Sequence, residues 1–388
     1  MEYKKINELC EINIGKTPSR NKSEYWGEGS GWLSISDLKD KFITKTKEEI
    51  TSMAISACNM KIVPRNTVVM SFKLSIGKTA ILKEDMYTNE AIANFPIKNN
   101  SLIPEYLYYA IKTLNFDNTD RAVMGATLNK AKLNELKIPY CEINKQKEIV
   151  EVLNKAQELI DKRKEQIEAL DELVKSQFIE MFGDPFNDQK EFGTNKLGEV
   201  TEVNPKKAEI KELDKELLVS FVPMDRVGEK GEFNPGISKS IGEVYSGFTY
   251  FRENDVLFAK ITPCMENGKG AVAVNLSNGI GFGSTEFHVL RPLKEKSNSY
   301  WIYHLTTLIE FRRLAERKMT GSAGQKRVPT DFLNNIQVVV PPIELQNQFA
   351  DFVKQVDKLK FEMEKSLKEL EDNFNSLMQK AFNGELFN

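Results

Sequence analysis

The stretch Ile149-Val150-Glu151-Val152-Leu153-Asn154-Lys155-Ala156 has a counterpart 200 residues further on, Phe349-Ala350-Asp351-Phe352-Val353-Lys354-Gln355-Val356. Around this pair, Leu133 to Phe182 aligns without a gap on Leu333 to Phe382. Identities are few (Leu133/Leu333, Asn134/Asn334, Ile143/Ile343, Gln146/Gln346, Leu159/Leu359, Leu170/Leu370, Ser176/Ser376, Phe182/Phe382), but the apolar pattern agrees far better. In the first copy Ile149, Leu153, Ala156, Ile160, Ile167, Leu170 and Val174, then Met181, step by four and three, with Arg163 and Gln177 in the skipped slots. In the second the seam is Phe349, Val353, Val356, Met363, Leu367, Leu370, Phe374 and Leu377, then Ala381, with Lys360 as its polar member. A seven-residue period held this long predicts two long helices paired in a coiled coil. No Gly or Pro interrupts either run; the first follows Pro139 and stops at Gly183-Asp184-Pro185, and the second follows Pro341-Pro342 and frays at Gly384. One small domain could not cover ~60 Å of apolar seam, so the two helices are expected to pair with each other. The polar members would fix the register at some cost in stability.

The segments ahead of each helix are related more loosely. Ile6 to Asn13 echoes Leu197 to Asn204, Asn66 to Met70 echoes Asn254 to Phe258, and each of the latter runs leads to a Gly-Lys pair, Gly77-Lys78 or Gly268-Lys269. Tyr106 to Ile111 echoes Tyr300 to Leu305 as a short helix. Lys61-Ile62-Val63, Thr79 to Leu82, Ala271 to Val274 and Phe287 to Leu290 read as strands. The expected class is α+β: two tandem mixed α/β domains, each followed by one long helix, in an internal pseudo-twofold duplication. The boundaries expected are 1–143 for the first domain, 144–182 for its helix, 183–343 for a linker and the second domain, and 344–388 for the last helix.

A length of 388 residues accommodates two or three domains, and 40% hydrophobic with 28% charged residues is a core-forming composition. Lys and Arg total 54 against 56 Asp and Glu, which argues against a protein basic over its whole surface. No apolar run approaches ~20 residues and the N-terminus has no signal-like stretch, so a cytoplasmic chain without membrane contact is expected. Cys10, Cys58, Cys141 and Cys264 are scattered and His288 and His304 are the two histidines, so neither a disulfide frame, a metal site nor a histidine-based triad is expected.

Most candidate chemistry fails on spacing. Gly15-Lys16-Thr17 and Gly77-Lys78-Thr79 resemble the end of a phosphate loop, but the earlier glycine is replaced by Cys10 and Phe72. Gly279-Ile280-Gly281-Phe282-Gly283 lacks a following helix and reads as a turn. No Asn/Asp-Pro-Pro-aromatic run of an amino-methyltransferase is present. No catalytic residue is therefore assigned. What remains are basic, glycine-broken loops with aromatics: Gly15 to Arg20 leading to Tyr25-Trp26-Gly27 and Gly31 to Leu38, Arg121 to Lys130, and Phe311 to Arg327. Such loops suit approach to a duplex, with Lys and Arg on phosphates and Gln or Arg at base edges.

These residues carry a family resemblance over nearly the whole chain. It resembles the specificity subunit of type I restriction–modification systems in Gly15 to Leu38, in Ile261-Thr262-Pro263-Cys264 with Glu266-Asn267-Gly268-Lys269, and in Gly321 to Val328. Pro341-Pro342 with Gln346-Asn347-Gln348 and the run Gln379 to Leu386 add to it. The first copy departs from the pattern at Cys141-Glu142 and Phe72 to Ile76, so the two domains should read different half-sites. The resemblance implies two target-recognition domains held apart by an antiparallel helix pair, each reading half of a bipartite double-stranded DNA site. It also implies two modification subunits, which bind S-adenosylmethionine and methylate adenine, and restriction subunits that translocate and cleave; this chain would itself bind no cofactor. Helix length would act as a ruler for the unread spacer. On that reading Lys16, Thr17, Arg20, Ser34, Ser36, Lys73, Lys78, Arg121 and Lys130 are the contact candidates of the first domain. Those of the second are Lys206, Lys207, Arg226, Lys260 and Lys269, together with Arg317, Lys318, Ser322, Gln325, Lys326 and Arg327. Outward helix faces and the domain surfaces beside them would bind the modification subunits. A coiled-coil scaffold without DNA binding, and a stand-alone DNA methyltransferase, are the alternatives.

Charge, divided along these boundaries, is uneven. Residues 1–143 carry 20 basic and 17 acidic side chains, 144–182 carry 7 and 9, 183–343 carry 21 each, and 344–388 carry 6 and 9. The acidic excess lies on the helical segments, while 305–327 holds 6 basic against 2 acidic residues, a local positive surface.

Overall fold

A computed structural model describes the chain except residues 115, 117–119, 123–124, 129, 323 and 388, with backbone alone for 120–122 and 125–127. It divides into two compact units, one of residues 1–164 and 365–388 and the other of 165–364.

In the first unit a strand at Glu2–Lys5 pairs antiparallel with Lys137–Tyr140, directly before the first long helix, Ile143–Phe182. The main sheet runs Asn13–Ile14, Ile92–Phe95, Val68–Ser71, Thr79–Leu82 and Phe42–Ile43. A second sheet joins Trp26–Leu33 antiparallel to Glu48–Ile50 and parallel to Tyr87–Thr88. Strands buried on both faces, such as Val68–Ser71 and Thr79–Leu82, carry no charged residue and show no alternation of buried and exposed positions for that reason. The helix Pro104–Lys112 opens with proline, where a missing N–H costs nothing, and buries Tyr106 to Ile111. Ile149 and Leu153 of the long helix join the same core as Met378, Ala381 and Phe382. Lys164 pairs with Glu371 at 3.1 Å while Tyr109 meets both Asn154 and Phe374, so the two helix segments of this unit run antiparallel.

The second unit repeats this plan. Thr194–Lys196 pairs with Gln337–Val339 ahead of the second long helix, Ile343–Asn383. The main sheet runs Thr201–Val203, Phe287–Pro292, Val256–Ala259 and Gly270–Val272, the order of its counterpart. The register repeats as well: Val68 faces Phe95 as Val256 faces Leu290. Leu218–Val222 pairs antiparallel with Ile237–Ser240 and parallel with Ile280–Gly283, and Thr249–Arg252 is added on the far side. Asp171 meets Lys360 at 2.6 Å and the Phe178 ring meets Phe349 at 5.4 Å, so these helix segments are also antiparallel.

Gln146 and Gln346 are fully buried in matching roles. Gln346 Oε1 accepts from Asn298 N at 2.9 Å, and its Nε2 donates to the Lys296 and Pro341 carbonyls at 3.2 and 2.8 Å. Gln146 likewise accepts from Ile103 N and donates to Ser101 and Cys141. Each glutamine fastens the start of a long helix to the loop before the short helix.

Along the helices, Ile149, Leu153, Ile160, Leu170, Val174, Phe349, Val353 and Val356 are buried. Ala156, Ile167, Met363, Leu367, Leu370, Phe374 and Leu377 are half-buried. Beyond Val174 the buried positions are Phe178 and Phe182, a step of four each time, rather than Gln177 and Met181. A straight helix has 3.6 residues per turn, so the buried face drifts off a strict heptad where the end of the first long helix packs on the core of the second unit.

Two strand-and-turn expectations change. Lys61 to Val63 is not a strand; Val63 makes one isolated bridge to Met86, and Pro64 next to it has no donor to continue a ladder. Gly279 is the turn (φ +68°), but Ile280–Gly283 is a buried strand. Its glycines are packing positions, because a Cβ on Gly281 would stand 2.1 Å from the Phe251 ring and one on Gly283 2.4 Å from the Val222 carbonyl.

Candidate nucleic-acid interface

In the second unit several contact candidates gather at one end of the main sheet. Lys260 follows the strand Val256–Ala259, and Lys269 lies opposite, its carbonyl accepting from Ala259 N at 3.1 Å. The loop from 320 to 328 closes on the same end: Thr262 N donates to Lys326 O at 3.0 Å and Val328 N to Lys260 O at 2.9 Å. Lys207 reaches this region from the other side, where it and Lys260 flank a cleft of about 290 Å3 that includes Asn204, Tyr250, His288 and Thr330. Burial in this cleft pushes the Lys260 ammonium below the ordinary lysine range; Arg327 adds to that and Glu286 opposes it.

His288 is a support rather than a ligand. Its Nε2 lies 2.7 Å from the Val328 carbonyl, which can only accept, so that nitrogen carries the proton. Nδ1 then accepts from Asn204 Nδ2 at 3.0 Å, while Asn204 Oδ1 accepts from Val289 N at 3.0 Å. Burial lowers the His288 pKa and keeps this neutral form. The imidazole thereby fixes the loop to the sheet.

The remaining candidates differ in freedom. Arg327 forms a two-pronged pair with Glu286 at 2.8 and 2.9 Å, which holds Glu286 below the usual carboxylate range. Lys207 donates to the Tyr245 carbonyl at 2.6 Å and Lys269 to the Met224 carbonyl at 3.3 Å. Arg226 is half-buried. Lys206, Arg317, Lys318, Ser322, Gln325 and Lys326 are exposed.

In the first unit the Gly15–Arg20 loop is pinned by tryptophans. Trp32 Nε1 donates to Lys16 O at 3.0 Å and Trp26 Nε1 to Ser19 O at 3.2 Å. Gly15 must be glycine, since a Cβ there would lie 2.0 Å from Thr88 O. Arg20 stacks 3.8 Å above the Trp26 ring and pairs with Glu48 at 2.5 and 2.9 Å. Lys16 Nζ donates to the Cys58 and Asn59 carbonyls at 3.1 and 3.2 Å. The Ser34 hydroxyl is committed to Asp37 at 2.7 Å and meets Ser36 at 2.8 Å. Thr17, Ser36, Lys78 and Lys130 are exposed and Lys73 is half-buried. Arg121 lies on the strand Asp120–Ala122, but its side chain falls outside the described residues.

Sequence reasoning missed Glu48 and Glu286, the acids that hold two of the candidate arginines. They stand 28 and 41 residues from their partners, and no local pattern marks them. Among the described residues no group of three or more His, Cys, Asp or Glu gathers as a metal site. No described helix is long and apolar enough to cross a membrane. The surface can donate hydrogen bonds and positive charge to an anionic backbone.

The family described as "Type I restriction modification DNA specificity domain" matches residues 1–170 and 189–372. The EcoEI type I restriction enzyme specificity subunit of Escherichia coli is 40% identical over 148 residues, 38% of this chain and 24% of that protein. The MjaIX type I restriction enzyme specificity subunit of Methanocaldococcus jannaschii is 32% identical over 223 residues, 55% of this chain and 50% of that one. These matches thus span from a quarter to half of the relatives' length. A chain solved in work on complex assembly and conformational transition of the type I R-M system shares the fold, with a TM-score of 0.61 at 16% identity over 99% of this chain and 98% of that one. With both halves matched, the chain belongs to the type I restriction–modification DNA specificity family.

Proposed function

We propose that this chain is the DNA-specificity subunit of a type I restriction–modification complex and has no catalysis of its own. Residues 1–143 and 183–343 each read one half of a bipartite double-stranded site, and 144–182 and 344–388 form the spacer. Two methyltransferase subunits, which bring S-adenosylmethionine, and the restriction subunits assemble on it in the cytoplasm. The observation that carries this reading is the gathering of Lys207, Lys260, Lys326 and Gln325 with Arg327 at one end of the second unit's main sheet, in a chain whose two halves both match the specificity family. In the first unit the corresponding surface would be Lys16, Thr17, Arg20, Lys73 and Lys78.

The test is to express the chain with its neighbouring methyltransferase and map methylated adenines by sequencing. A bipartite pattern with a fixed gap is expected; methylation without one would sink the proposal. The long helices, 40 and 41 residues, support a role in setting that gap. Deleting one heptad from both, ~10 Å of helix, is expected to shorten it by about three base pairs, and an unchanged gap would refute the ruler.

A further inference from the structure

The second unit contains a cavity of about 720 Å3 that the proposed DNA-reading role does not use, within the size of small-ligand sites. Its apolar wall is made by Val174, Val353 and Val356 of the long helices with Val272, Val274 and the Tyr300 and Tyr303 rings. Two polar side chains on this wall lack partners. The Tyr303 hydroxyl makes no hydrogen bond among the described residues, although Tyr303 is only 7% exposed. His304, set among Tyr303, Phe349 and Phe178 at ring distances of 4.9, 5.2 and 6.4 Å, likewise has no hydrogen-bond partner for its ring nitrogens among them. Both side chains line the cavity and their polar atoms open onto it, which leaves their hydrogen-bonding capacity to an occupant.

The charges around the cavity indicate its sign. Six carboxylates line it against four cations. Asp171 is matched by Lys360 at 2.6 Å and Lys230 at 3.8 Å, Glu172 by Lys175 at 2.7 Å, and Arg312 is capped by the Met265 and Gly268 carbonyls at 2.7 and 2.9 Å. Glu168, Glu229, Glu266 and Asp357 form no ion pair among the described residues; Glu229 accepts from Asn267 Nδ2 at 3.1 Å, and Lys360, already paired with Asp171, also acts on Asp357.

The matching place in the first unit is filled. Val174 corresponds to Phe374, whose ring lies 6.2 Å from Tyr109, the counterpart of Tyr303. The Tyr109 hydroxyl donates to Asn154 at 2.7 Å and accepts from Lys41 at 3.2 Å. Asn154 corresponds to Lys354, which lies instead against the Tyr300 ring at 5.6 Å. The duplication has thus kept the tyrosine while losing the side chains that occupy its hydroxyl.

We propose that this cavity is a binding site for a cationic group carried on an apolar or aromatic body, with the cation at Asp357 and the body between the valines and Tyr300. Tyr303 and His304 complete it as hydrogen-bond partners. An alkylammonium or guanidinium fits, either as a free small molecule or as a lysine or arginine side chain of another protein.

The test is calorimetric titration of the full chain with phenethylamine, and with 2-phenylethanol and phenylacetate as the neutral and anionic controls. Saturable binding is expected, at least tenfold tighter than either control and weakened at least tenfold by Asp357→Asn. Val174→Phe, which restores the side chain tolerated at 374, should abolish it; Tyr303→Phe, which keeps the fold, should weaken it. Equal binding of the three probes, or binding that survives Val174→Phe in a folded protein, would overturn the proposal. A co-purifying small molecule in native mass spectrometry would mark a free ligand as the source. Displacement of phenethylamine by the added methyltransferase subunit would mark a partner's basic side chain. Either result upholds the chemistry of the cavity, which does not depend on the DNA-reading role.

Discussion

At the scale of single residues, the buried glutamines show how much one polar group can hold. Replacing Gln346 by Leu removes three hydrogen bonds and leaves Asn298 N and two carbonyls unpaired inside the protein. The expected loss is about 3–5 kcal/mol from the second unit. Denaturant unfolding followed through Trp301, a buried tryptophan of that unit, checks it against the first unit's Trp26 and Trp32. His304 gives a pH dependence. Burial among aromatics pushes its pKa down from 6.5 to about 4. The unfolded chain therefore takes up a proton below pH 6.5 that the folded chain refuses, and stability falls as pH drops through the window from 6.5 to 4. Between pH 7 and 5 the wild type should lose up to about 2 kcal/mol more than His304→Phe in paired denaturation curves. Equal losses would mean that the ring is protonated in place. Gln146 and Gln346 were visible in the sequence as an aligned identity, but the three bonds that fix each of them end on backbone atoms no side-chain pattern encodes.

At the scale of elements, the long helices were the most legible part of the chain, because an apolar seam repeating every seven residues over such a length is buried only when helices lie side by side. The sequence could not show where the period breaks. The shift to Phe178 and Phe182 follows from an aromatic cluster with Phe349, residues brought together only by the antiparallel pairing. Lys360 was legible as a polar member of the seam, and its partner Asp171 was not, since the register between helices is a tertiary fact. Asp171→Ala should cost about 1–2 kcal/mol by leaving Lys360 half-buried without its carboxylate. Asp171→Leu with Lys360→Met should be neutral or stabilising. A double-mutant cycle on the second unit measures the coupling; a value near zero would show that solvent screens the pair.

At the scale of the whole molecule, duplication was readable from loosely matched segments because topology tolerates changes that erase identity. The two main sheets share strand order and register although few residues agree. The proposed contact surface was less legible. Composition marked 305–327 as basic, but only the folded loop shows that Arg327 is spoken for by Glu286 while Lys326 is exposed. On the proposed DNA-reading role, Lys326→Ala should weaken binding similarly for all sequences and reduce the slope of log affinity against log salt by about 1. Fluorescence anisotropy at several salt concentrations tests this; an unchanged slope would remove Lys326 from the phosphate contacts. Gln325→Ala, by contrast, should alter which bases are preferred while leaving the slope intact.

The two-stranded ribbons at Glu2–Lys5 with Lys137–Tyr140, and at Thr194–Lys196 with Gln337–Val339, carry a consequence for inheritance. Each brings the entry and exit of a globular segment side by side, with Lys5 opposite Lys137 and Lys196 opposite Gln337. A crossover between related genes within the two ribbon strands would therefore transplant well over a hundred residues through a gate only one strand pair wide, ~5 Å across. The helices on the other side of that gate would keep their sequence, and on the proposed DNA-reading role a lineage could acquire a new target in one recombination event without relearning how to assemble.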